Sequence, residues 1–474
     1  ENHRKAPLVS AILLALEKPD FEITSLTGKS DPNFPNDWDG AKIYKAAEDY
    51  MSSKGFGPQQ KIGTLLDQFS FIKTSPPLNQ TNGELGMSPL RYYAKILKAD
   101  VQSVVNNPAM LSFDVLGNFY HEFISYGGGD GSTLGIVLTP EHITTLMAEL
   151  IDVGASDWVL DPAAGTASFL IAAMHRMFID ADNDETVKDD IRKNRLHGIE
   201  LQDKLFAIGT TNMILRGDGK ANFRRNSIFD DIEHEMRGDT PVGNGKWRPG
   251  HGFTKVLLNP PYGQAKDIST RHLSELAFIE RALEFLNPGG RLAAIVPQST
   301  MVGKTAEDRA RKVSIMKKHT LDTVITLNVA TFVDSGVSVH PVIAIFTAYR
   351  PHQTTAKVKF VDFNNDGYKA MMHRGLIDDG TAASRRKHLI DVLKGDAIDK
   401  TSFIVRAEAN AQDEWQHSYF YFNDVAPELK DFEKTVADYI AWQVDMHAHG
   451  KGHLIAPRDF TAADLAAPFE KATD

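Results

Sequence analysis

Apolar residues recur at helical spacing along Lys5 to Leu16 and again from Ala41 to Met51, which predicts two helices near the start of the chain. Between them, Ser30 to Asp39 holds two prolines and three aspartates and reads as a loop. Met87-Ser88-Pro89-Leu90 opens a further helix with proline in its first turn, continued through Tyr93 and Ile96. Asp114 to Phe123 repeats the helical pattern with aromatic anchors. Residues 1–126 are thus expected to form a helical N-terminal domain. The stretch Gly127 to Ser132, four of whose six residues are glycine, predicts a linker over 127–134.

Past that linker the pattern changes from helices alone to strands alternating with helices. Leu138-Thr139-Pro140-Glu141 predicts a helix with Thr139 as its N-cap and Pro140 in its first position, followed by an apolar stripe of Ile143, Leu146 and Met147. Trp158-Val159-Leu160 is the buried run of a strand ending at Asp161, and a loop of small residues (Pro162 to Ala167) leads into a helix. Leu196 to Glu200 reads as the next strand, Asp203 to Leu215 as a helix, and Asn226 to Phe229 as the end of a third strand. Arg237 to Gly252 is expected to be a loop. Further strands are predicted at Lys255–Leu258, Leu292–Val296, Thr323–Leu327, Val342–Thr347 and Lys357–Phe363, with a tight turn at Leu286 to Arg291. Strands spaced by helices predict an α/β, doubly wound sheet over 135–365. In residues 366–474 the pattern weakens, except for an amphipathic helix from Phe432 to Met446 suited to packing on a partner or on the body.

Composition adds bounds. At 474 residues, with 42% hydrophobic and 24% charged residues, the chain is long enough for two or three globular domains. No apolar run approaches the roughly 20 residues that span a bilayer, and no signal peptide is legible, so a cytoplasmic location and no membrane contact are expected. The absence of cysteine rules out disulfides and thiolate chemistry. Opening on Glu1 rather than Met is compatible with sequence upstream. A net charge of −10 is unusual for a chain that grips nucleic acid unaided, so such a function would need a local basic face or a partner. His447, His449 and His453 lack acids or cysteines at ligand spacing and read as a solvated tail.

The chemistry concentrates at Asn259-Pro260-Pro261-Tyr262, where an apolar strand stops abruptly. Two prolines fix φ and remove two backbone donors, so this stiff corner offers oxygens, an amide and a flat ring to an outside group. Such a set suits an exocyclic amino group on a planar ring. Upstream, the loop after Asp161 lies where doubly wound sheets bind ligands, and Glu200 ends the second strand, where an acid accepts from ribose hydroxyls. The loop lacks both the three glycines of a dinucleotide site and the Gly-Lys-Ser/Thr of a phosphate loop.

Loop, acid and Asn-Pro-Pro-Tyr in this order resemble the N6-adenine DNA methyltransferases. The helical N-terminal region and the Thr139-Pro140-Glu141 helix resemble, within them, the modification (M) subunits of type I restriction-modification systems. The resemblance implies a Rossmann-like fold that uses S-adenosylmethionine. It implies that Thr139 contacts the methionine end of that donor, that Asp161, Ala163 and Gly165 surround the methionine, and that Glu200 holds the ribose. Asn226 stands where the family has an aspartate for the donor's adenine amino group, and Phe278 matches an aromatic position beside that adenine. Asn259, Pro260, Pro261 and Tyr262 would hold the target base, and Phe332 matches a position that stacks on its other face. Implied partners are double-stranded DNA, a specificity subunit and a second M subunit, with a restriction subunit left open. Ala164 replaces a frequent cysteine, and Ala167 replaces a second glycine, so φ at 167 is expected to stay negative. A protein-glutamine or RNA amino-methyltransferase, or a donor-binding scaffold without activity, are the rival readings.

Overall fold

A computed structural model describes residues 4–54, 59–102, 138–217, 222–243, 246–267, 269–335, 339–371, 375–399, 401–422 and 428–452, together with Val104 and Gly117. Apart from Gly117, the helix expected at Asp114 to Phe123 and the glycine stretch at 127–132 lie outside the described residues. Two units are separable, residues 1–420 and 421–474.

The frame of the first unit is a nine-stranded sheet. Its strands are β1 (Val159–Asp161), β2 (Leu196–Ile199), β3 (Phe223–Arg224), β4 (Phe253–Leu258), β5 (Leu286–Pro297), β6 (Thr320–Leu327), β7 (Pro341–Thr347), β8 (Lys357–Phe363) and β9 (Ile404–Glu408). They lie in the order β9-β8-β6-β7-β5-β4-β1-β2-β3. From β3 to β5 neighbours run parallel; β7 is antiparallel to both β5 and β6. β9, within the expected C-terminal region, adds an antiparallel edge to β8. Val256, Leu257 and Leu258 are completely buried, because a central parallel strand is covered on both faces and must be apolar throughout. The strand order reverses at β1 and β4, and the crevice at their carboxyl ends is where such sheets bind ligands.

Of the N-terminal helices, Lys5–Leu16 and Gln59–Phe69 pack on the helix Asp203–Leu215, and Asp39–Ser53 packs on Lys5–Leu16. In Lys5–Leu16 every residue after Lys5 is buried, so this helix is enclosed all round rather than carrying a single apolar stripe. It contributes to a core with Ile43, Met51, Phe69, Leu90, Leu205 and Ile208. Pro89–Ile96 begins as the sequence suggests, with the Ser88 side chain accepting from the Arg91 N–H at 3.1 Å.

Three local expectations need correction. The third strand is Phe223–Arg224, and residues 226–230 form a turn beyond it, closed by the Asp230 carboxylate on the Ser227 N–H at 2.9 Å. The expected loop at 237–252 contains an antiparallel hairpin, Thr240–Gly243 with Lys246–Arg248. The expected turn at Leu286 to Arg291 is an irregularity inside β5: Phe253 pairs with Leu286 and Lys255 with Arg291, so the intervening residues bulge out around Gly289 at φ +82°.

The second unit holds the helix Leu429–Ala448, whose Phe432, Val436, Tyr439, Ile440 and Val444 are exposed. Among the described residues no helix is long and apolar enough to cross a membrane, and no cluster of metal-ligating side chains occurs.

Candidate active site

A cavity of about 500 Å³ opens at the carboxyl ends of β1, β2 and β4. Eleven of the twelve residues singled out from sequence line it: Thr139, Asp161, Ala163, Gly165, Glu200, Asn226, Asn259, Pro260, Pro261, Tyr262 and Phe278. They come from six separate segments, so only the parallel sheet brings them together.

The floor is the loop after β1. Asp161 is almost fully buried; its Oδ1 accepts the Ala163 N–H at 3.2 Å, and its Oδ2 has no partner. Burial, reinforced by the nearby Glu200 carboxylate, pushes the Asp161 carboxyl up to about 8, against the one hydrogen bond that favours its charge. Gly165 sits at φ +52°, and a Cβ added there would meet nothing within 4 Å, so its backbone borders open space. The Gly165 N–H donates to Glu200 Oε2 at 2.9 Å, and Gln202 N–H donates to Glu200 Oε1 at 2.7 Å. Glu200 therefore fastens the β1 loop to the end of β2. Burial raises its carboxyl above the ordinary range, partly offset by these donors.

Ala167 overturns the expected negative φ. It lies at φ +73°, ψ 21°, immediately before the helix Ser168–Asp180, with its N–H on the Ala164 carbonyl at 2.7 Å. The turn thus keeps the left-handed geometry that suits glycine, and an alanine bears it at a cost of about 1 kcal/mol.

Thr139 also departs from expectation. The helix runs Glu141–Leu150 with Pro140 in the cap position and no side-chain cap, so the Thr139 hydroxyl does not close the helix. Instead Thr139 Oγ1 accepts from Asn259 Nδ2 at 2.9 Å. The amide of Asn259 is thereby turned so that Oδ1, buried and without a partner, remains as an acceptor. A buried polar atom left unpaired is costly, and its persistence at a cavity wall marks a place for a ligand donor.

Beyond Asn259, Pro260 is buried and Pro261 exposed. The Tyr262 hydroxyl points inward, 3.4 Å from the Ile295 carbonyl, and burial holds its pKa well above the usual phenol value. Its ring meets Phe332 edge-on, with centroids 6.1 Å apart and planes at 74°. Phe332 is completely buried and does not line the cavity, so the expectation of a free second stacking face is not met. It belongs to the core under the corner, against which Tyr262 packs.

On the far wall, Phe278 meets Phe229 edge-to-face at 4.8 Å, and Asn226 Nδ2 donates to Asp230 Oδ2 at 3.1 Å, which leaves the Asn226 oxygen as the outward acceptor. Sequence reasoning missed Leu201, Phe229 and Gln264, which also line the cavity. It missed Glu275 too, whose Oε1 accepts the Gly263 N–H at 2.7 Å. Leu201 alone had a local signal, an exposed apolar residue directly after the strand-end acid.

This sheet order, with its reversed seventh strand and a ligand crevice over β1, β2 and β4, defines the fold of the S-adenosylmethionine-dependent methyltransferases. The chain belongs to the N-6 DNA methylase family, whose sequence profile matches residues 111–414. That family comprises adenine-N6 DNA methyltransferases of restriction-modification systems. The chain is 51% identical over 454 residues to the type II restriction enzyme and methyltransferase RM.BcgI of Heyndrickxia coagulans, covering 96% of this chain and 68% of that protein. It is 27% identical over 268 residues to the type I restriction enzyme EcoKI methylase subunit of Escherichia coli (strain K12), covering 52% of this chain and 47% of the relative. The chain thus spans about two thirds of the first relative and about half of the second. Its fold is shared with the modification subunit of a putative type I restriction enzyme from Vibrio vulnificus YJ016, at a TM-score of 0.56 and 15% identity over 87% of this chain and 88% of that one.

Proposed function

We propose that the cavity binds S-adenosylmethionine, and that the Asn259–Tyr262 corner receives an adenine turned out of double-stranded DNA and methylated on N6. The observation that carries this reading is the buried, unpaired Asn259 Oδ1 in the cavity wall, its amide oriented by Thr139.

The residues present fit the donor. Asp161 Oδ2 is a second buried oxygen without a partner, suited to the donor's ammonium group, and Gly165 leaves its side of the wall open. The Glu200 carboxylate, held by the backbone N–H groups of Gly165, Leu201 and Gln202, keeps acceptor capacity for a ribose hydroxyl. Asn226 offers its oxygen to the donor's adenine amino group, and Phe278 offers its ring. Thr139, Ala163 and Gly165 border the methionine end. When bound, the donor supplies a methyl group made electrophilic by the sulfonium.

The chain's own part is positioning and electrostatics. Adenine N6 is a poor nucleophile because its lone pair is delocalised into the ring. Acceptance of the amino N–H groups by Asn259 Oδ1 and the Pro260 carbonyl draws that nitrogen toward tetrahedral geometry and localises the lone pair. The same oxygens stabilise the positive charge that develops on N6. Pro260 and Pro261 hold the two acceptors rigid, so little reorganisation is needed at the moment of transfer. The Tyr262 ring stacks on the extruded base, returning about 1–3 kcal/mol of the few kcal/mol that flipping costs. Tyr262 stays neutral, its hydroxyl being buried, and the surplus proton leaves to solvent.

An acidic chain needs help to hold DNA, so the reading includes a specificity subunit and a second M subunit, with a restriction subunit as a further candidate. A cytoplasmic place follows from that substrate. The deciding experiment is tritiated methyl transfer from S-adenosylmethionine to DNA, RNA and protein, with and without proteins that co-purify from the host. N6-methyladenine in DNA is expected. Label in RNA or in protein glutamine would refute the substrate assignment, and no transfer to any of them would favour an inactive scaffold.

A further inference from the structure

The helix Glu275–Glu284 carries three side chains that grip three different parts of the site. Glu275 Oε1 accepts the Gly263 N–H at 2.7 Å, immediately after the corner tyrosine, where Gly263 takes φ +63°. Phe278, three residues on, is a wall of the cavity and packs on Phe229. Arg281, three further on, donates to the Ile228 carbonyl at 3.0 Å and to the Asp230 carbonyl at 2.8 Å, holding the turn that carries Asn226. Residues at i, i+3 and i+6 form one ridge of a helix, here about 9 Å long.

The helix is well anchored for this task. Ser274 caps it by accepting the Ala277 N–H at 3.3 Å, and Arg281 is further fixed by the Glu233 carboxylate at 2.7 Å. Leu276, Ile279, Ala282 and Leu283 lie in the core beneath it. The body of the helix is therefore anchored, while Glu275 in its first position is only part-buried; the segment after Tyr262 is exposed, tied at Gly263 by Glu275 and at Lys266 and Asp267 by the Thr270 hydroxyl.

We infer that this ridge sets the separation between the donor's adenine wall and the base-receiving corner, and that Glu275 is the positioning residue through which donor occupancy at Phe278 steadies that corner. The inference rests on the reading above, in which the donor's adenine lies at Phe278 and Asn226. Packing of a ligand against Phe278 restricts the first turn of the helix, and a restricted Glu275 restricts Gly263. Rigidity gained at one site is thereby delivered to the other without a large displacement.

Hydrogen–deuterium exchange of the segment 262–267, with and without S-adenosylhomocysteine, tests this on the full chain. In the wild type the ligand should slow exchange there about fivefold or more, the lower end of typical site-to-site coupling. Glu275→Ala should leave the ligand's Kd within about twofold and reduce the slowing below about twofold. Glu275→Asp, which keeps the charge at the helix start but shortens its reach, should behave like Glu275→Ala. Glu275→Gln, which keeps an acceptor at full length, should retain the slowing. Equal slowing in the wild type and both short variants, or none in a wild type that binds the ligand, would overturn the role of Glu275. Failure of the wild type to bind S-adenosylhomocysteine at all would instead overturn the donor assignment.

Discussion

The Asn259 amide donates to the Thr139 hydroxyl across 120 positions of sequence, at 2.9 Å, and that contact decides which end of the amide faces the cavity. A threonine placed to cap a helix instead orients an amide whose oxygen is left unpaired at the cavity wall. Thr139→Val keeps the shape and removes the partner, so the amide becomes free to rotate. One hydrogen bond of about 1 kcal/mol corresponds to roughly a fivefold loss of methyl-transfer rate. Thr139→Ser should retain most of the rate, and steady-state kinetics of the three proteins would separate these outcomes.

Phe332 props the corner from beneath. Phe332→Ala should destabilise the fold by about 3–5 kcal/mol, as expected for emptying a fully buried aromatic site. Phe332→Leu should cost less than about 1.5 kcal/mol and preserve base binding. Denaturant unfolding gives the first pair of values. If Phe332→Leu instead kept its stability but lost affinity for an extrahelical base, the residue would be a stacking partner after all.

Ala167 occupies a left-handed conformation immediately before a helix, where glycine is preferred on both counts. Ala167→Gly should raise stability by about 0.5–1 kcal/mol. A fall in the unfolding midpoint would mean that the buried methyl group outweighs the backbone strain.

Asp161 gives the site a pH signature. Its carboxyl is raised to about 8 by burial, above the ordinary value of about 3.9, so below pH 8 it is mainly protonated in the folded chain. The sign for stability follows: burial of Asp161 costs nothing below about pH 4, costs more as pH rises toward 8, and levels off above. A ligand carrying an ammonium group favours the ionised carboxylate. Affinity for S-adenosylhomocysteine should therefore rise with pH by up to about tenfold per unit below 8, then level off. Asp161→Asn should flatten that profile, and titration calorimetry from pH 6 to 9 reads both.

What the sequence discloses is set by the range of the interactions involved. Trp158-Val159-Leu160 and Lys255 to Leu258 announce their strands because a buried parallel strand must be apolar throughout, and Asn259 to Tyr262 announces its corner because proline acts locally. The hairpin of Thr240–Gly243 with Lys246–Arg248 is hard to read from sequence because its strands are three or four residues long and set among glycines and prolines. The third strand is only two residues long, too short for its alternation to register. The positive φ at residue 167 is not legible locally, because alanine's own preference gives way to the turn demanded by the β1 loop. The roles of Glu275, Arg281 and Phe332 depend on partners 12, 53 and 70 positions away, and no local pattern encodes them.

The central claim is that Asn259 acts on the acceptor base while other residues hold the donor, and Asn259→Ala separates the two. S-adenosylmethionine affinity and tritiated methyl transfer, measured on the same preparation, should show binding within a few-fold of wild type and transfer lost by about 100-fold or more. Loss of donor binding in parallel with transfer, or transfer surviving the substitution, would contradict the account.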